Sequence, residues 1–145
     1  MNGLRTLGNN TPFLNSWAGD GNYWLPDNPQ VTNYYFVTYA SVFGDDPNPA
    51  ANAIAKVVKP GVGSYITGPA AVDGVVTAIK RAKSTQGVKL AAQMEKFKKV
   101  PTLSGRVTFS PTIHAVTGRA YRVIQIQDNQ PKFVGEISAK VVPKI

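Results

Sequence analysis

The spacing of apolar residues changes from a helical period to a period of two along the second half of the chain, and this switch restricts the fold more than any other feature. Val72, Val75, Val76 and Ile79 follow an i, i+3, i+4, i+7 pattern, which gathers four branched side chains on one face of a helix. Arg106-Val107-Thr108-Phe109 alternates instead, and so does Tyr121-Arg122-Val123-Ile124-Gln125-Ile126-Gln127, as strands with one buried face do. Asp128-Asn129-Gln130-Pro131 then turns the chain into Phe133-Val134-Gly135-Glu136-Ile137, which predicts a β-hairpin with a four-residue connection.

Upstream, residues 1–46 are loop-rich and aromatic. Their long apolar run, Tyr34 to Ala40, mixes β-branched and aromatic residues ahead of Gly44-Asp45-Asp46-Pro47 and reads as a buried strand. Thr11 to Leu14 reads as a second, shorter strand. Residues 47–99 read as helical. A first helix starts at Pro47-Asn48-Pro49, runs through Ala53, Ile54 and Val57, and ends near Pro60-Gly61. The valine-rich helix follows, and Gly68-Pro69 either kinks it or marks its start. A third sets Leu90, Met94 and Phe97 on one side and Lys89, Lys96 and Lys98 largely on the others, with Ser84 and Thr85 as candidate caps. Strand, helices, strands in that order predict an α/β sheet covered by helices, with the final hairpin as an antiparallel addition. With 145 residues, 43% of them hydrophobic, the chain can bury the core of one domain.

The residue inventory excludes several kinds of chemistry. There is no cysteine and His114 is the single histidine, so neither a disulfide nor a zinc site built on Cys and His is available. No Gly-x-x-x-x-Gly-Lys-Ser/Thr loop or Gly-x-Ser-x-Gly elbow occurs, and Gly61-x-Gly63 is a fragment of a dinucleotide fingerprint without its strand. Ser110 to His114 reads as a turn carrying a surface histidine. Asp45 and Asp46 stand beside Pro47, where carboxylates complement a helix N-terminus, so they are read as caps rather than as a proton-sharing pair. These features point away from an enzyme and imply no cofactor or metal. A net charge of +8 admits a nucleic-acid partner. The lysines at 80, 83, 89, 96, 98 and 99, however, are spaced like solvated helix faces, and the aromatics gather at the other end of the chain, so no nucleic acid is expected. No apolar run reaches the roughly 18 residues that a transmembrane helix needs, and Met1-Asn2-Gly3-Leu4-Arg5 lacks the apolar run of a secretory signal.

Leu4-x-x-Leu7-Gly8-Asn9-Asn10-Thr11-Pro12-Phe13-Leu14, then a loop, then Asn33 to Thr38, follow one another as in the substrate-binding proteins of ABC importers. Gly63-Ser64-Tyr65-Ile66-Thr67 before a long helix, Leu103 to Ser110, and Gly118 to Ile126 with Lys132-Phe133-Val134 continue in the same order. Over essentially all 145 residues the sequence resembles the C-terminal portion of the branched-chain amino acid (Leu/Ile/Val-type) receptors, which are type 1 periplasmic binding proteins. The resemblance implies an α/β fold, part of the type 1 periplasmic-binding-protein fold with Rossmann-like αβα layers, closing on a C-terminal antiparallel hairpin. It implies that residues 1–40 end the C-terminal lobe and form a crossover strand. Residues 41–110 would be returning helices and a strand of the N-terminal lobe, and 111–145 a crossover and the closing hairpin. Hinge passes fall near Val37 to Tyr39 and Phe109 to Thr112, with Pro111 and Gly118 as hinge candidates.

The function implied by the resemblance is capture of an amino acid or related small carboxylate and its presentation to an ABC permease in the membrane, at a bacterial periplasmic or surface-anchored location. A small basic nucleic-acid-binding protein and an orphan structural domain without ligand are the alternatives. Met1 directly before Asn2-Gly3-Leu4-Arg5 favours a truncated gene product, and missing lobes predict exposed apolar surface and self-association.

In open α/β sheets, ligands are held by loops at the carboxyl ends of strands. Asn15 to Trp24, NSWAGDGNYW, follows the strand expected at Thr11 to Leu14, so Ser16, Trp17 and Asp20 are candidate ligand contacts. Ser16 and Asp20 would meet an amino or hydroxyl group, and Trp17 an apolar or aromatic part of the ligand. Trp24 is assigned to packing. Tyr65 matches the place where the family sets an aromatic at the start of the long helix, facing the cleft. Thr67 and Ser64 lie beside it, near a helix N-terminus suited to a carboxylate. Aromatic loops favour an aromatic or bulky carboxylate.

Overall fold

The computed structural model describes residues 1–16, 19, 21–26, 31–59 and 65–141. In chain order the elements are α1 (Asn2–Thr6), β1 (Phe13–Asn15), β2 (Tyr34–Thr38), α2 (Pro49–Val58), α3 (Thr67–Ala82), α4 (Gly87–Met94), β3 (Val100–Thr102), β4 (Gly105–Val107), β5 (Tyr121–Gln127) and β6 (Gln130–Ile137). They fall into two units, Met1–Tyr65 with Tyr121–Ile137, and Ile66–Ala120 with Ser138–Ile145.

The first unit is built on a four-stranded sheet in the order β1-β2-β5-β6. β1 runs parallel to β2, and the other two pairings are antiparallel. The alternation read from the sequence sets the burial: Arg122, Ile124 and Ile126 of β5 are buried and the residues between them are half-buried. Phe36 lies opposite Ile124, and these two join Leu25, Val31 and Ile126 in the core, with Trp24, Tyr34, Phe43 and Phe133 packed against it. Each such fully buried side chain contributes roughly 1.5–3 kcal/mol relative to exposure.

Three local features of this unit depart from expectation. The hairpin connection is two residues long, not four. Asp128 and Asn129 both take positive φ, 51° and 60°, as a type I′ turn requires, and Gln130 and Pro131 already belong to β6. Pro131 is tolerated because β6 is an edge strand. The sequence also shows no pattern for α1, a single turn fixed by a long-range contact. The buried Arg5 guanidinium donates to the carbonyls of Asn9 (2.6 Å), Thr11 (2.9 Å) and Thr32 (2.9 Å) and lies 4.9 Å from the Phe13 ring centre.

The acids before α2 are not its caps. Asn48 is, its side chain accepting from Ala50 N–H at 3.1 Å, with Pro49 in the first turn. Asp46 is buried and faces Arg122, 76 positions away, with Arg122 Nε donating at 3.2 Å. Asp46 also accepts the N–H groups of Ser41 and Asn48, both at 2.7 Å. A buried guanidinium attracts a carboxylate more strongly than a solvated helix end does, so the pair overrides the capping preference. Asp45 instead accepts from Phe133 N–H at 2.7 Å and from the Ser41 hydroxyl, tying the loop to β6.

In the second unit α3 packs against α4 and β3, and β3 and β4 form a two-stranded ribbon. Pro69 sits in the first turn of α3, where its missing N–H costs nothing, so Gly68-Pro69 marks a start and not a kink. The core holds Ala78, Phe97, Val100 and Val107, with Leu90, Met94, Phe109 and Val116 against it. The side expected for Leu90, Met94 and Phe97 is therefore the packed one, although α4 ends at Met94. Ser84 is not the N-cap of α4, which is Gln86; the Ser84 hydroxyl accepts from the Gln86 N–H at 3.2 Å, just ahead of the helix. Asp73 on α3 accepts the Leu103 N–H at 3.0 Å and fixes the β3–β4 turn, which Gly105 leaves with φ 100°.

The expected valine face of α3 is the one that is not buried. Val72, Val75 and Val76 are 61%, 42% and 39% exposed, whereas Ala70, Gly74 and Ala78, at i, i+4 and i+8, are buried. Both stripes satisfy a helical period. The small-residue stripe is the one turned to the packed side, although at Gly74 no neighbour comes within 4 Å of where a Cβ would stand. No helix among the described residues is long and apolar enough to cross a membrane.

Candidate functional site

β1 and β2 are parallel, so their carboxyl ends, and the start of the antiparallel β5, lie at one edge of the first unit's sheet. Ser16 is the first residue beyond β1 at that edge. Its carbonyl accepts the Val37 N–H at 3.0 Å, prolonging the ladder, and its own N–H donates to Asn15 Oδ1 at 2.8 Å. Asn15 Nδ2 donates to the Tyr34 hydroxyl at 2.7 Å. The Ser16 side chain is thus exposed on a backbone held from both sides. Trp17 and Asp20 lie outside the described residues.

Trp24 packs. Its ring meets Tyr34 at 5.4 Å between centres, and its Nε1–H donates to the Gly19 carbonyl at 3.2 Å. The backbone passes close to the core here: a Cβ at Gly19 would stand 3.2 Å from Phe36 Cγ, a tight contact. The loop leaving β1 is therefore clamped to the core at Gly19 and Trp24.

Tyr65 closes the first unit. Its hydroxyl oxygen is out of contact with solvent and has no hydrogen-bond partner among the described residues. Burial pushes the phenol above its ordinary value, so the group is neutral at physiological pH. A buried hydroxyl without a partner carries a desolvation cost of about 1–3 kcal/mol, which a ligand oxygen or amide can relieve. No hydrogen bond joins Tyr65 to Ser16 among the described residues.

Thr67, the remaining predicted contact, is in the second unit as the first residue of α3. It lines a cavity of about 250 Å³ together with Ala70, Gly74, Val75, Thr102, Ser104, Val107, Phe109, Val116 and Arg119. The walls are largely apolar, and the buried Thr102 and Ser104 hydroxyls lie 3.4 Å apart. Thr102 gives its proton to the Gly105 carbonyl at 2.8 Å, so Ser104 is the donor between the two.

Two residues at the sheet edge escaped the sequence reading. Tyr39, just past β2, and Tyr121, the first residue of β5, bring their rings to 5.5 Å at an angle of 33°. Both are half-buried. The register of Tyr34–Thr38 antiparallel to Arg122–Ile126 makes Tyr39 and Tyr121 neighbours, and that register is what the sequence reading lacked. Among the described residues no group of three or more His, Cys, Asp or Glu side chains is arranged to hold a metal ion.

No protein-family model matches the sequence, and no curated protein matches it. Solved structures do. The leucine-binding protein LivK of Thermotoga maritima superposes with a TM-score of 0.70 at 21% identity, over 94% of this chain and 40% of that one. The branched-chain amino acid transporter substrate-binding protein LivJ of Streptococcus pneumoniae, in complex with isoleucine, gives 0.66 at 15% identity, over 95% of this chain and 40% of that one. The chain spans 40% of the length of each of these proteins. Its mixed α/β architecture, with a parallel pair and a closing antiparallel hairpin, is part of the type 1 periplasmic-binding-protein fold.

Proposed function

We propose that the chain is the C-terminal portion of a solute-binding protein that captures an amino acid or related small carboxylate for an ABC importer. The observation that carries this reading is a binding-protein fold whose β1 delivers the Asn15–Trp24 loop at its carboxyl end, where open α/β sheets hold ligands. Tyr65 supports it, being a neutral buried hydroxyl that lacks a partner among the described residues. In this reading Ser16, Trp17, Asp20, Tyr65 and Thr67 contact the ligand, the lobes close over it, and the closed form is presented to a permease. The site of action is periplasmic or at the outer surface of a bacterial membrane.

The test is titration of the chain with leucine, isoleucine and phenylalanine, followed by tryptophan fluorescence. The expected result is a saturable change. Tyr65→Phe should weaken it roughly tenfold, the loss of about one hydrogen bond, while the melting temperature of the ligand-free chain rises because a buried hydroxyl without a partner among the described residues is removed. A folded chain that responds to none of the three amino acids sinks the reading. The exposed Leu14, Val57 and Val72 also predict self-association, and a monodisperse monomer in sedimentation would count against a fragment.

A further inference from the structure

The excess positive charge of this chain is confined to one unit. Residues 66–120 hold nine lysines and arginines against two acids, Asp73 and Glu95, while residues 1–65 and 121–137 together hold five against six. Both acids of the cationic unit are engaged: Asp73 accepts the Leu103 N–H at 3.0 Å, and Glu95 lies 3.2 Å from His114.

The same unit contains a cleft of about 530 Å³ lined by Lys99, Arg106, Thr108, Thr117 and Gly118, with no carboxylate among them. Two of its polar groups, on Arg106 and Thr108, are held in place by the backbone. Arg106 Nη1 donates to the Lys99 carbonyl at 3.2 Å, which fixes the guanidinium beside the lysine, and the Lys99 N–H donates to Thr108 Oγ1 at 3.0 Å. Thr108 Oγ1 thus accepts from the backbone and keeps its own proton to donate. The Thr117 N–H reaches the Thr108 carbonyl at 3.4 Å and brings a second hydroxyl alongside. Lys99 takes φ 51° and Gly118 φ 65°, local bends at two lining positions.

Two cations and two hydroxyl donors around one opening match a tetrahedral oxyanion. A guanidinium presents parallel N–H groups to two oxygens, and an ammonium adds a point charge. Among the described residues, the cleft lining contains no aromatic side chain on which a nucleic-acid base would stack. We propose that this cleft binds a phosphate group, carried by a small phosphate ester or by a lipid headgroup, with Arg106 and Lys99 as its charge partners and Thr108 and Thr117 as hydroxyl donors.

The experiment is an NMR titration of the whole chain with inorganic phosphate, against chloride at matched ionic strength. The amides of Thr108, Thr117 and Gly118 report on the cleft. Saturable shifts at these three positions are expected. Arg106→Gln and Lys99→Gln, both at exposed residues, should each weaken binding roughly tenfold or more, as loss of a charged hydrogen bond does. Lys89→Gln removes the same charge from an exposed position on α4 that does not line the cleft and should change affinity by less than about twofold, since salt screens an exposed charge that makes no direct contact. Vesicles of phosphatidylglycerol and of phosphatidylcholine identify the source. Retention by the anionic vesicles alone, abolished by Arg106→Gln, assigns a lipid headgroup; phosphate binding without vesicle binding assigns a soluble ester. Shifts that never saturate, equal weakening by Lys89→Gln, or binding to a single-stranded oligonucleotide but to neither phosphate nor vesicles would each overturn the proposal.

Discussion

The two units place their charges in opposite ways. The first, with five basic and six acidic residues, buries Arg5, Asp46 and Arg122; the second, with nine basic residues in 66–120, buries no charged residue among those described. A buried charge must be paired or hydrogen-bonded, so the first unit is specified by polar contacts between segments far apart in sequence. The second is held by apolar packing and by small residues on one face of α3, which leaves its cations on the surface for other use. The units should therefore fail differently when altered. Both tryptophans lie in residues 1–65, so fluorescence reports on the first unit, whereas α3 and α4 put most of the helical signal in the second.

The largest effect is expected from Phe97→Ala. Phe97 is fully buried, 6.1 Å from the Phe109 ring and under the Arg81 guanidinium at 5.1 Å. Removing an aromatic ring from such a site costs about 3–5 kcal/mol. In urea, the helical ellipticity should be lost before the tryptophan fluorescence changes. Coincident transitions would mean that the units melt as one block, and the comparison between them would fail.

Next comes Asp46→Ala in the first unit. It strips Arg122 Nε of its carboxylate and leaves two N–H donors, of Ser41 and Asn48, without their acceptor. Glu136, 3.0 Å from Arg122 Nη1, still offers partial compensation, so the loss is set at about 3 kcal/mol, the lower end for a broken buried pair. Here the fluorescence transition should move and the helical one should lag. A shift below about 1 kcal/mol would show that water reaches the pair and that it behaves as a surface ion pair.

Where the sequence was legible, one residue set answered to one force. The existence of the β5–β6 hairpin followed from alternation on either side of a turn signal, although the turn itself is two residues shorter than expected. β2 and the three long helices followed from apolar spacing and proline in the same way. Asp46 was misread because a helix start is visible locally, while Arg122 lies 76 positions away. The α3 face was misread because hydropathy ranks Val above Ala and Gly, whereas both stripes satisfy the same helical period and the period alone does not say which one the fold turns inward. In the candidate site, Ser16 was legible as the residue after a strand. The Tyr39–Tyr121 pair was not, since it exists only once the strands are registered.

Gly74→Ala tests the small-residue face from the stabilising side. Gly74 is buried on α3 and lines the 250 Å³ cavity, yet an added Cβ meets nothing within 4 Å. Helix propensity favours Ala over Gly by about 1 kcal/mol, through the freedom removed from the unfolded chain. The second unit should gain close to that amount, read as a later helical transition with unchanged fluorescence. A loss instead would mean that α4 or β3 sits closer to the helix than this cavity allows.

The smallest effect separates pattern from packing most sharply. Val72→Lys and Val76→Lys replace the residues that sequence periodicity assigns to the interior of α3, and an interior position would lose several kcal/mol on receiving an unpaired ammonium. At 61% and 39% exposure the two positions already meet water, and a lysine can lay its stem along the helix while its amine stays solvated. Lysine is also the better helix former by a few tenths of a kcal/mol. Each variant should therefore shift the helical transition by no more than about 0.5 kcal/mol. If the chain self-associates through this face, the double variant should also shift its sedimentation toward monomer. A loss above about 2 kcal/mol in a chain shown to be monomeric would instead place the valines in the second unit's own core, and it would return the small-residue stripe to the surface.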